Sequence, residues 1–240
     1  MSTFKVDVDA RTVYDTVRSG GLALLPTDVG YGLLAMKEGA VRRIYELKGR
    51  PQSKPCVTVT NAAIFDDVTL PIPPELREWI DDVTSRTPLA IVARLNSDSR
   101  LLSSMSEYVR TQATQNGTIA TFHSAGRIVE RVAELARADG ELVVGSSANL
   151  AGTGNNYSFE AVPASMRREA DLALDRGPAW YANEQRSATT ILDLDTGSFL
   201  RRGINFAQIE RAWIAFRVAA GDRVAEPLDR SSVAHCRETT

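Results

Sequence analysis

Three cationic side chains lie within one short segment, Lys48-Gly49-Arg50-Pro51-Gln52-Ser53-Lys54-Pro55. Glycine and two prolines interrupt any helical or strand periodicity, so the segment is predicted to be a stiff loop. Cations held this close together repel one another unless an anion or carboxylates compensate their charge. A guanidinium binds a phosphate through two hydrogen bonds, and an ammonium acts as a point charge. The segment therefore fits either a bound polyanion or a solvated basic turn.

A second polar segment, Pro26-Thr27-Asp28-Val29-Gly30-Tyr31-Gly32-Leu33, follows a short apolar run. If that run is a buried strand, the segment lies at its carboxyl end, where open α/β sheets place their ligands. Thr27 and Tyr31 can each present a hydroxyl, and Gly30 and Gly32 let the backbone approach a ligand closely. The alternative is an ordinary strand-to-helix turn in which Tyr31 packs in the core.

The third segment, Ser146-Ser147-Ala148-Asn149-Leu150-Ala151-Gly152, also follows an apolar run and is predicted to be a loop. Ser147 and Asn149 are small hydrogen-bonding side chains, and the glycine lets backbone N–H groups turn toward an anion. The same residue types are common in turns for purely local reasons. Together the three segments predict a site for a polyanion such as a nucleoside triphosphate.

Metal and nucleophile chemistry have little support in this sequence. The two histidines, His123 and His235, and the two cysteines, Cys56 and Cys236, show no metal-ligand spacing, so no protein-bound metal is predicted. Two thiols without a partner motif indicate a reducing, cytoplasmic setting. A formal net charge of -2 argues against a globally basic nucleic-acid binder. No apolar run has the length of a signal peptide core or a membrane span, so no membrane partner is expected.

Helical and strand patterns alternate along the chain, and a hairpin appears late. Helices are predicted at 9–19, 39–47, 73–83, 100–115, 127–138 and 206–218. Strands are predicted at 22–25, 56–60, 89–95, 118–122, 142–144, 172–174, 190–194 and 198–200. The pattern predicts an α/β (α+β) fold in which helices flank one mixed, twisted sheet around a concave cavity. We expect a single domain over residues 8–218 and a polar tail over 219–240.

In this order the segments resemble the Sua5/YrdC/YciO family. The family pattern Pro-Thr-Asp/Glu-x-x-Tyr/Phe-Gly-Leu matches residues 26–33, and Lys-x-Arg-Pro-x-x-Lys-Pro matches residues 48–55. The family's Ser-x-Asn signature matches Ser147 and Asn149. A late Ser/Thr-Thr-Ile-x-Asp strand and an Arg-x-Gly turn resemble residues 189–193 and 201–203.

The resemblance implies threonylcarbamoyl-AMP synthesis. In that reaction L-threonine and bicarbonate form an N-carboxylated intermediate, which attacks the α-phosphate of ATP and releases pyrophosphate. Mg²⁺ accompanies the triphosphate, and a downstream tRNA-modifying protein passes the threonylcarbamoyl group to tRNA. The resemblance assigns ATP binding to Lys48, Arg50, Lys54, Ser147, Asn149, Thr189 and Arg201, with Lys48 and Arg50 catalytic. It assigns the amino-acid side to Thr27 and Tyr31.

The chain departs from the family pattern after the strand predicted at 118–122. The family carries Arg-x-Pro there, whereas this chain has Phe122, His123 and Ser124. The arginine is a natural anchor for the threonine carboxylate; phenylalanine cannot replace it, and His123 is expected to be partly charged near neutral pH. The alternatives are adenylation of a different carbamoyl-type substrate, nucleotide binding without turnover, or binding of double-stranded RNA or tRNA.

Overall fold

The computed structural model describes residues 3–221. Its helices are α1 Thr3–Arg18, α2 Glu38–Lys48, α3 Ala62–Val68, α4 Pro74–Thr84, α5 Arg100–Ser103, α6 Glu107–Ala113, α7 Arg127–Ala138, α8 Ala164–Glu169 and α9 Phe206–Ala219. Its strands are β1 Ala23–Thr27, β2 Gly30–Ala35, β3 Val57–Val59, β4 Leu89–Arg94, β5 Thr114–Gln115, β6 Thr118–His123, β7 Val144–Ser147, β8 Leu172–Ala173, β9 Thr190–Asp193 and β10 Ser198–Arg201.

One mixed sheet organises these strands in the order β10-β9-β4-β6-β3-β7-β2-β1-β8, with β5 paired to β6. The pairs β1/β8, β3/β6 and β4/β9 are parallel, and the other pairs are antiparallel. The predicted mixed α/β architecture is therefore confirmed.

Two clusters of buried side chains hold the helices on the sheet. In the first, α1 and α7 pack against each other and against apolar residues of β1, β3 and β6. The second includes apolar residues of α2 and α6 with alternate residues of β1 and β2. Apolar side chains at helical spacing on α7 explain this packing, because they form one continuous face.

Several predicted elements differ from the observed ones. The helix predicted at 100–115 is wrong: the chain forms α5, α6 and β5 instead. Ser106 begins a new helix there, because its hydroxyl accepts a hydrogen bond from the Val109 N–H. The predicted Ser146 loop is wrong in part, since Ser146 and Ser147 belong to β7. Segment 26–33 forms a β1–β2 hairpin rather than a strand-to-helix turn. Strand β2 and helices α3 and α8 were not predicted.

Contacts between Cα atoms divide the chain into two compact units, one ending at Phe206 and one beginning at Ala207. The first contains the whole sheet. Within the second, the rings of Trp213 and Phe216 stack with their centroids 5.6 Å apart. The single domain predicted over 8–218 remains a prediction, and most of the predicted tail, residues 222–240, lies outside the described part of the chain.

Candidate functional site

A cavity of about 760 Å³ lies over one face of the sheet. Alternate residues of the central strands form its floor, because successive side chains of a strand point to opposite faces. Several positions of this floor carry small residues, among them Ala90, Ala120, Gly145 and Gly32. A Cβ atom on Gly145 would lie 2.6 Å from Leu34 Cδ2, so this floor position cannot carry a side chain without displacing its neighbour. The small residues of the central strands therefore leave the space above the sheet that forms the cavity.

Three cationic residues line this cavity within residues 3–221: Arg50, Lys54 and Arg201. The Arg50 guanidinium donates to the Lys54 carbonyl at 3.1 Å and to the Pro55 carbonyl at 2.7 Å, which fixes it inside the proline-containing loop. Arg201 Nε donates to the Thr189 carbonyl at 2.6 Å. Burial, together with the charge of Arg50, lowers the pKa of Arg201 to about 10. The two guanidinium groups are therefore close enough to repel each other.

None of these three cations forms an ion pair with a carboxylate of the described residues. The acidic residue among those that line the cavity is Asp193, and its Oδ1 accepts hydrogen bonds from the N–H groups of Asp195 and Thr196 in the β9–β10 turn. Neighbouring cations without a counter-charge favour a bound anion, because an anion removes their mutual repulsion. The predicted grouping of Arg50, Lys54, Thr189 and Arg201 around one cavity agrees with this geometry.

Lys48 is placed differently from the prediction. Its side chain is buried and does not line the cavity; the ammonium donates to the carbonyl groups of Ser147 and Asn149 and, at 3.1 Å, to Asn149 Oδ1. Asn149 also lies off the cavity lining, whereas Ser147 lines it. Because helix α2 ends at Lys48, the ammonium joins that helix to the segment that follows β7. Lys48 therefore supports the position of Ser147 instead of reaching the cavity.

The stability of the protein should depend on the charge of Lys48. Burial, together with the charge of Arg50, lowers the pKa of Lys48 to about 7 from an ordinary value of 10.5. Between these values the folded chain has released a proton that the unfolded chain still holds, so the free energy of unfolding should rise with pH, at up to about 1.4 kcal/mol per pH unit. Urea unfolding between about pH 6 and about pH 10 measures this slope.

Lys48→Met should flatten that slope, since methionine cannot titrate. Lys37→Met provides the matched control, because Lys37 is an exposed lysine whose ammonium lies 3.2 Å from Glu141 Oε1. The control should keep the pH dependence of the unmodified protein. An unmodified protein whose stability falls or stays level from pH 7 to pH 9 would contradict the prediction.

Thr27 and Tyr31, predicted for the amino-acid side, are both among the residues that line the cavity, but their hydroxyls are already hydrogen-bonded. Thr27 Oγ1 donates to the Gly30 carbonyl at 2.7 Å and accepts from the Val29 N–H, which closes the β1–β2 turn. The Tyr31 hydroxyl lies 2.9 Å from both Asp175 Oδ1 and the Gly177 carbonyl. Burial raises the pKa of Tyr31 above its ordinary value. Both hydroxyls are therefore already engaged, and the Tyr31 ring packs in the second buried cluster, as the alternative of a core tyrosine expects.

A pair of asparagines that the sequence analysis missed connects the segments around the cavity. Asn155 Nδ2 donates to the Val29 carbonyl, and Asn156 Nδ2 donates to the Ala148 carbonyl, each at 2.7 Å. The Arg186 guanidinium donates to the Asn155 carbonyl at 2.9 Å and to Asn156 Oδ1 at 2.5 Å. Both asparagines are buried. Their position directly after Gly154, close to the Ser-Ala-Asn segment, was the available signal.

His123 is not part of the cavity. Its ring is buried beside Phe65, and its Nε2 lies 3.1 Å from Thr121 Oγ1. Burial lowers the pKa of His123 to about 3, so the expectation of partial charge near neutral pH is wrong. Phe122, on the opposite face of β6, does line the cavity.

Residues 3–221 contain no cluster of three or more metal-ligating side chains and no helix long and apolar enough to cross a membrane. The one carboxylate among the described residues that line the cavity is Asp193, and it already accepts a hydrogen bond from the Asp195 N–H in the β9–β10 turn. If a divalent cation accompanies a nucleoside triphosphate in this cavity, Asp193 is the carboxylate of the lining that could contact it.

Comparisons with known proteins agree with this architecture. A family model named Sua5, YciO and YrdC, and described as telomere recombination, matches residues 15–203. The threonylcarbamoyl-AMP synthase of Xanthomonas campestris pv. campestris (strain B100) is 30% identical over 200 residues, which cover 81% of this chain and 97% of that protein.

Solved structures share the fold. The structure of P. abyssi Sua5 complexed with L-threonine has a TM-score of 0.69 and 24% identity; the match covers 88% of this chain and 58% of that one, so this chain corresponds to little more than half of it. E. coli YciO has a TM-score of 0.61 and 19% identity, over 82% of this chain and 90% of that one. Since the family model matches most of the sequence and the fold agrees, this chain belongs to the Sua5/YciO/YrdC family.

Proposed function

We propose that this chain is a nucleotidyltransferase that uses ATP to adenylate an N-carboxylated amine, the reaction that gives threonylcarbamoyl-AMP when the amine is L-threonine. The observation that carries the proposal is the group of cations, Arg50, Lys54 and Arg201, which line one cavity without a paired carboxylate. The name of the Xanthomonas relative supports the same reaction.

The chemistry requires alignment and charge stabilisation more than a protein nucleophile. The amine takes up the carbon of bicarbonate, and water leaves. A carbamate oxygen then bonds to the α-phosphorus of ATP while the bond to the bridging oxygen breaks, so that pyrophosphate leaves. The guanidinium groups of Arg50 and Arg201 neutralise charge on the phosphates, and Mg²⁺ accompanying the triphosphate would supply further positive charge. Ser147, held through Lys48, contacts the nucleotide.

Replacing either guanidinium of the cavity lining should weaken ATP binding. Arg50→Met and Arg201→Met each remove a charge-assisted contact, which corresponds to a loss of about tenfold or more in affinity. Isothermal titration with MgATP measures the affinity, and ATP–pyrophosphate exchange in the presence of bicarbonate and an amine measures turnover. Arg94→Met is the matched control, because Arg94 is exposed and paired with Asp195.

Unchanged ATP affinity in both cavity variants would contradict the proposed site. Exchange without added bicarbonate and amine would contradict the proposed reaction. In a tRNA-modifying pathway, the adenylate would then pass to a downstream protein, and this part of the proposal is tested by transfer of the label from bicarbonate to tRNA.

Binding of double-stranded RNA remains the alternative from another functional class. Lys48 is buried, so a Lys48 variant cannot report a surface contact with RNA. Lys54 is exposed and lies in the same loop. RNA binding that weakens with salt, falls in Lys54→Ala and ignores ATP would favour this alternative, because phosphate contacts release counterions.

A further inference from the structure

The Lys48 ammonium lies behind the cavity wall, surrounded by neutral oxygen atoms. Its three N–H groups match three acceptors: the carbonyl groups of Ser147 and Asn149, and Asn149 Oδ1 at 3.1 Å. A fourth oxygen, Ser147 Oγ, lies 3.4 Å from Lys48 Nζ. Because Lys48 is buried, its charge depends on these atoms more than on solvent.

No carboxylate within residues 3–221 forms an ion pair with Lys48. The Arg50 guanidinium, from the loop after α2, repels the ammonium. Cys56, just before β3, also faces Lys48, and its thiol lies 3.8 Å from the Tyr45 hydroxyl of α2. Burial raises the pKa of both Cys56 and Tyr45, so neither supplies a negative charge near pH 7. Residues 144–152, on the remaining side, have no titratable side chain.

The direction of the Ser147 hydroxyl depends on the charge of Lys48. This hydroxyl donates to Asn149 Oδ1, which also accepts from Lys48 Nζ. An ammonium satisfies its three acceptors by itself, so the Ser147 hydrogen is free to turn to a ligand in the cavity, which Ser147 lines. A neutral amine has two N–H groups and a lone pair, so one oxygen loses its donor and the Ser147 hydroxyl is needed inside the network.

A phosphate bound to Ser147 would also act on Lys48 through its charge. A phosphate oxygen that accepts from the Ser147 hydroxyl lies about 3 Å beyond Oγ, and hence within roughly 6 Å of Lys48 Nζ. A negative charge at this distance favours the charged form of an amine. The same phosphate would neutralise Arg50, which lines the cavity and otherwise repels the ammonium. Both effects favour a protonated Lys48 in the nucleotide complex.

We propose that Lys48 takes up a proton from solvent when a nucleoside triphosphate binds, so that the complex carries the ammonium. This proposal rests on the proposed ATP site and makes Lys48 a positioning residue, which acts through the Ser147 hydroxyl and does not touch the nucleotide. Because binding and protonation favour each other, ATP affinity should fall as pH rises. The pKa of Lys48 in the free chain is about 7, so the fall begins near pH 7 and ends at the higher pKa of the complex.

Isothermal titration of MgATP into the full chain at pH 8 measures the uptake. The titration is repeated in Tris, Tricine and HEPES, which differ in their enthalpy of ionisation and contain no phosphate. The slope of the measured enthalpy against that ionisation enthalpy is the number of protons taken up. Free Lys48 is mostly neutral at pH 8, so we expect about half a proton or more per nucleotide. A slope of zero at a measurable affinity would overturn the proposal.

Lysine variants assign this proton to Lys48. Lys48→Arg keeps a positive charge that does not titrate in this pH range, so the uptake should disappear. Lys37→Met, at an exposed lysine paired with Glu141, should keep both affinity and uptake. Lys54→Met, in the cavity lining, should weaken binding and keep the uptake. Uptake that persists in Lys48→Arg, or that is lost in Lys54→Met at a measurable affinity, would assign the proton to another group and overturn the proposal.

A direct measurement requires no change at Lys48. The chain contains four lysines, and the other three, Lys5, Lys37 and Lys54, are exposed. Lysine labelled with ¹³C at Cε gives NMR signals that follow the protonation of each Nζ, and arginine variants of the three exposed lysines assign Lys48 by elimination. We expect the titration midpoint of the Lys48 signal to move to higher pH with MgATP. A midpoint that saturating MgATP does not move would overturn the proposal, even if Lys48→Arg does not fold.

Failure of this proposal is distinguishable from failure of the proposed function. An unmodified chain that does not bind MgATP would refute the proposed nucleotide site, and the proton uptake with it. MgATP binding with neither a buffer-dependent enthalpy nor a moved midpoint would refute the proton uptake alone. Proton uptake without ATP–pyrophosphate exchange would refute the proposed reaction and support the role of Lys48.

Discussion

Gly203→Ala is expected to lower the free energy of unfolding by about 3 kcal/mol and to abolish ATP binding. A Cβ atom at this position would lie 2.0 Å from the Ala188 carbonyl oxygen and 2.7 Å from the Thr189 carbonyl carbon. Both are backbone atoms, which cannot move without displacing the start of β9. The Thr189 carbonyl accepts the hydrogen bond that holds Arg201, so the displacement also moves a cation of the site.

Urea unfolding and isothermal titration with MgATP test this prediction together. Gly39→Ala is the matched control, because Gly39 lies in helix α2 and a Cβ atom added there would meet no other atom within 4 Å. Gly39 is the second residue of α2, where alanine is favoured over glycine by no more than about 0.5–1 kcal/mol, so the control should be at least as stable as the unmodified chain and should bind ATP normally. A Gly203→Ala protein as stable as the unmodified chain would show that the β9 backbone relaxes freely.

Asn156→Ala is the second change with a large expected effect. It removes the donor that holds the Ala148 carbonyl and the acceptor that holds Arg186, and it leaves both partners with unmet hydrogen bonds. The Ala148 carbonyl is buried, and leaving it unpaired costs about 1–3 kcal/mol; Arg186 is exposed and keeps its hydrogen bond to the Asn155 carbonyl. Because Ala148 lies between Ser147 and Asn149, we expect ATP affinity to fall by about tenfold or more.

The control for this asparagine is Asn96→Ala. Asn96 Nδ2 donates to the Asp67 carbonyl at 2.8 Å, so it too fixes a loop, but neither Asn96 nor Asp67 is next to a residue that lines the cavity, whereas the Ala148 held by Asn156 is next to Ser147. We expect Asn96→Ala to reduce stability without changing ATP affinity. Equal losses of affinity in both variants would indicate a general effect of stability and would contradict the specific role of Asn156.

Periodic patterns made much of the fold predictable. Helix α7 was predicted with its observed bounds, Arg127–Ala138, because its apolar residues recur at helical spacing between two glycines. Helix 100–115 was predicted as one element because nothing in its apolar pattern reveals that Ser106 begins a second helix. Strand β2 was missed since Gly30 and Gly32 weaken its strand signal.

The part of the site that could be predicted from the sequence is the pair of cationic residues in the proline-containing loop. Arg50 and Lys54 are close in sequence, so their shared position on the cavity followed from the segment itself. For the other predicted residues, the packing of the side chain inside the fold determines whether it can reach a ligand. Whether Lys48 faced a ligand or the Ser147 and Asn149 carbonyls depended on packing between α2 and β7, and these elements are far apart in the chain. The connections of Asn155 and Asn156 are likewise tertiary contacts.

The strand order described above has a consequence for the time course of folding. The cavity floor pairs Gly32 with Ser147 and Ala90 with Ile191, so each pairing joins segments separated by close to half of the chain. Strand pairings between such distant segments form slowly, because the intervening chain loses conformational entropy before the contacts are made. On the ribosome, the floor stays incomplete until β9 has emerged. Newly made chains should therefore acquire nucleotide binding in one step, and only after β9 has emerged.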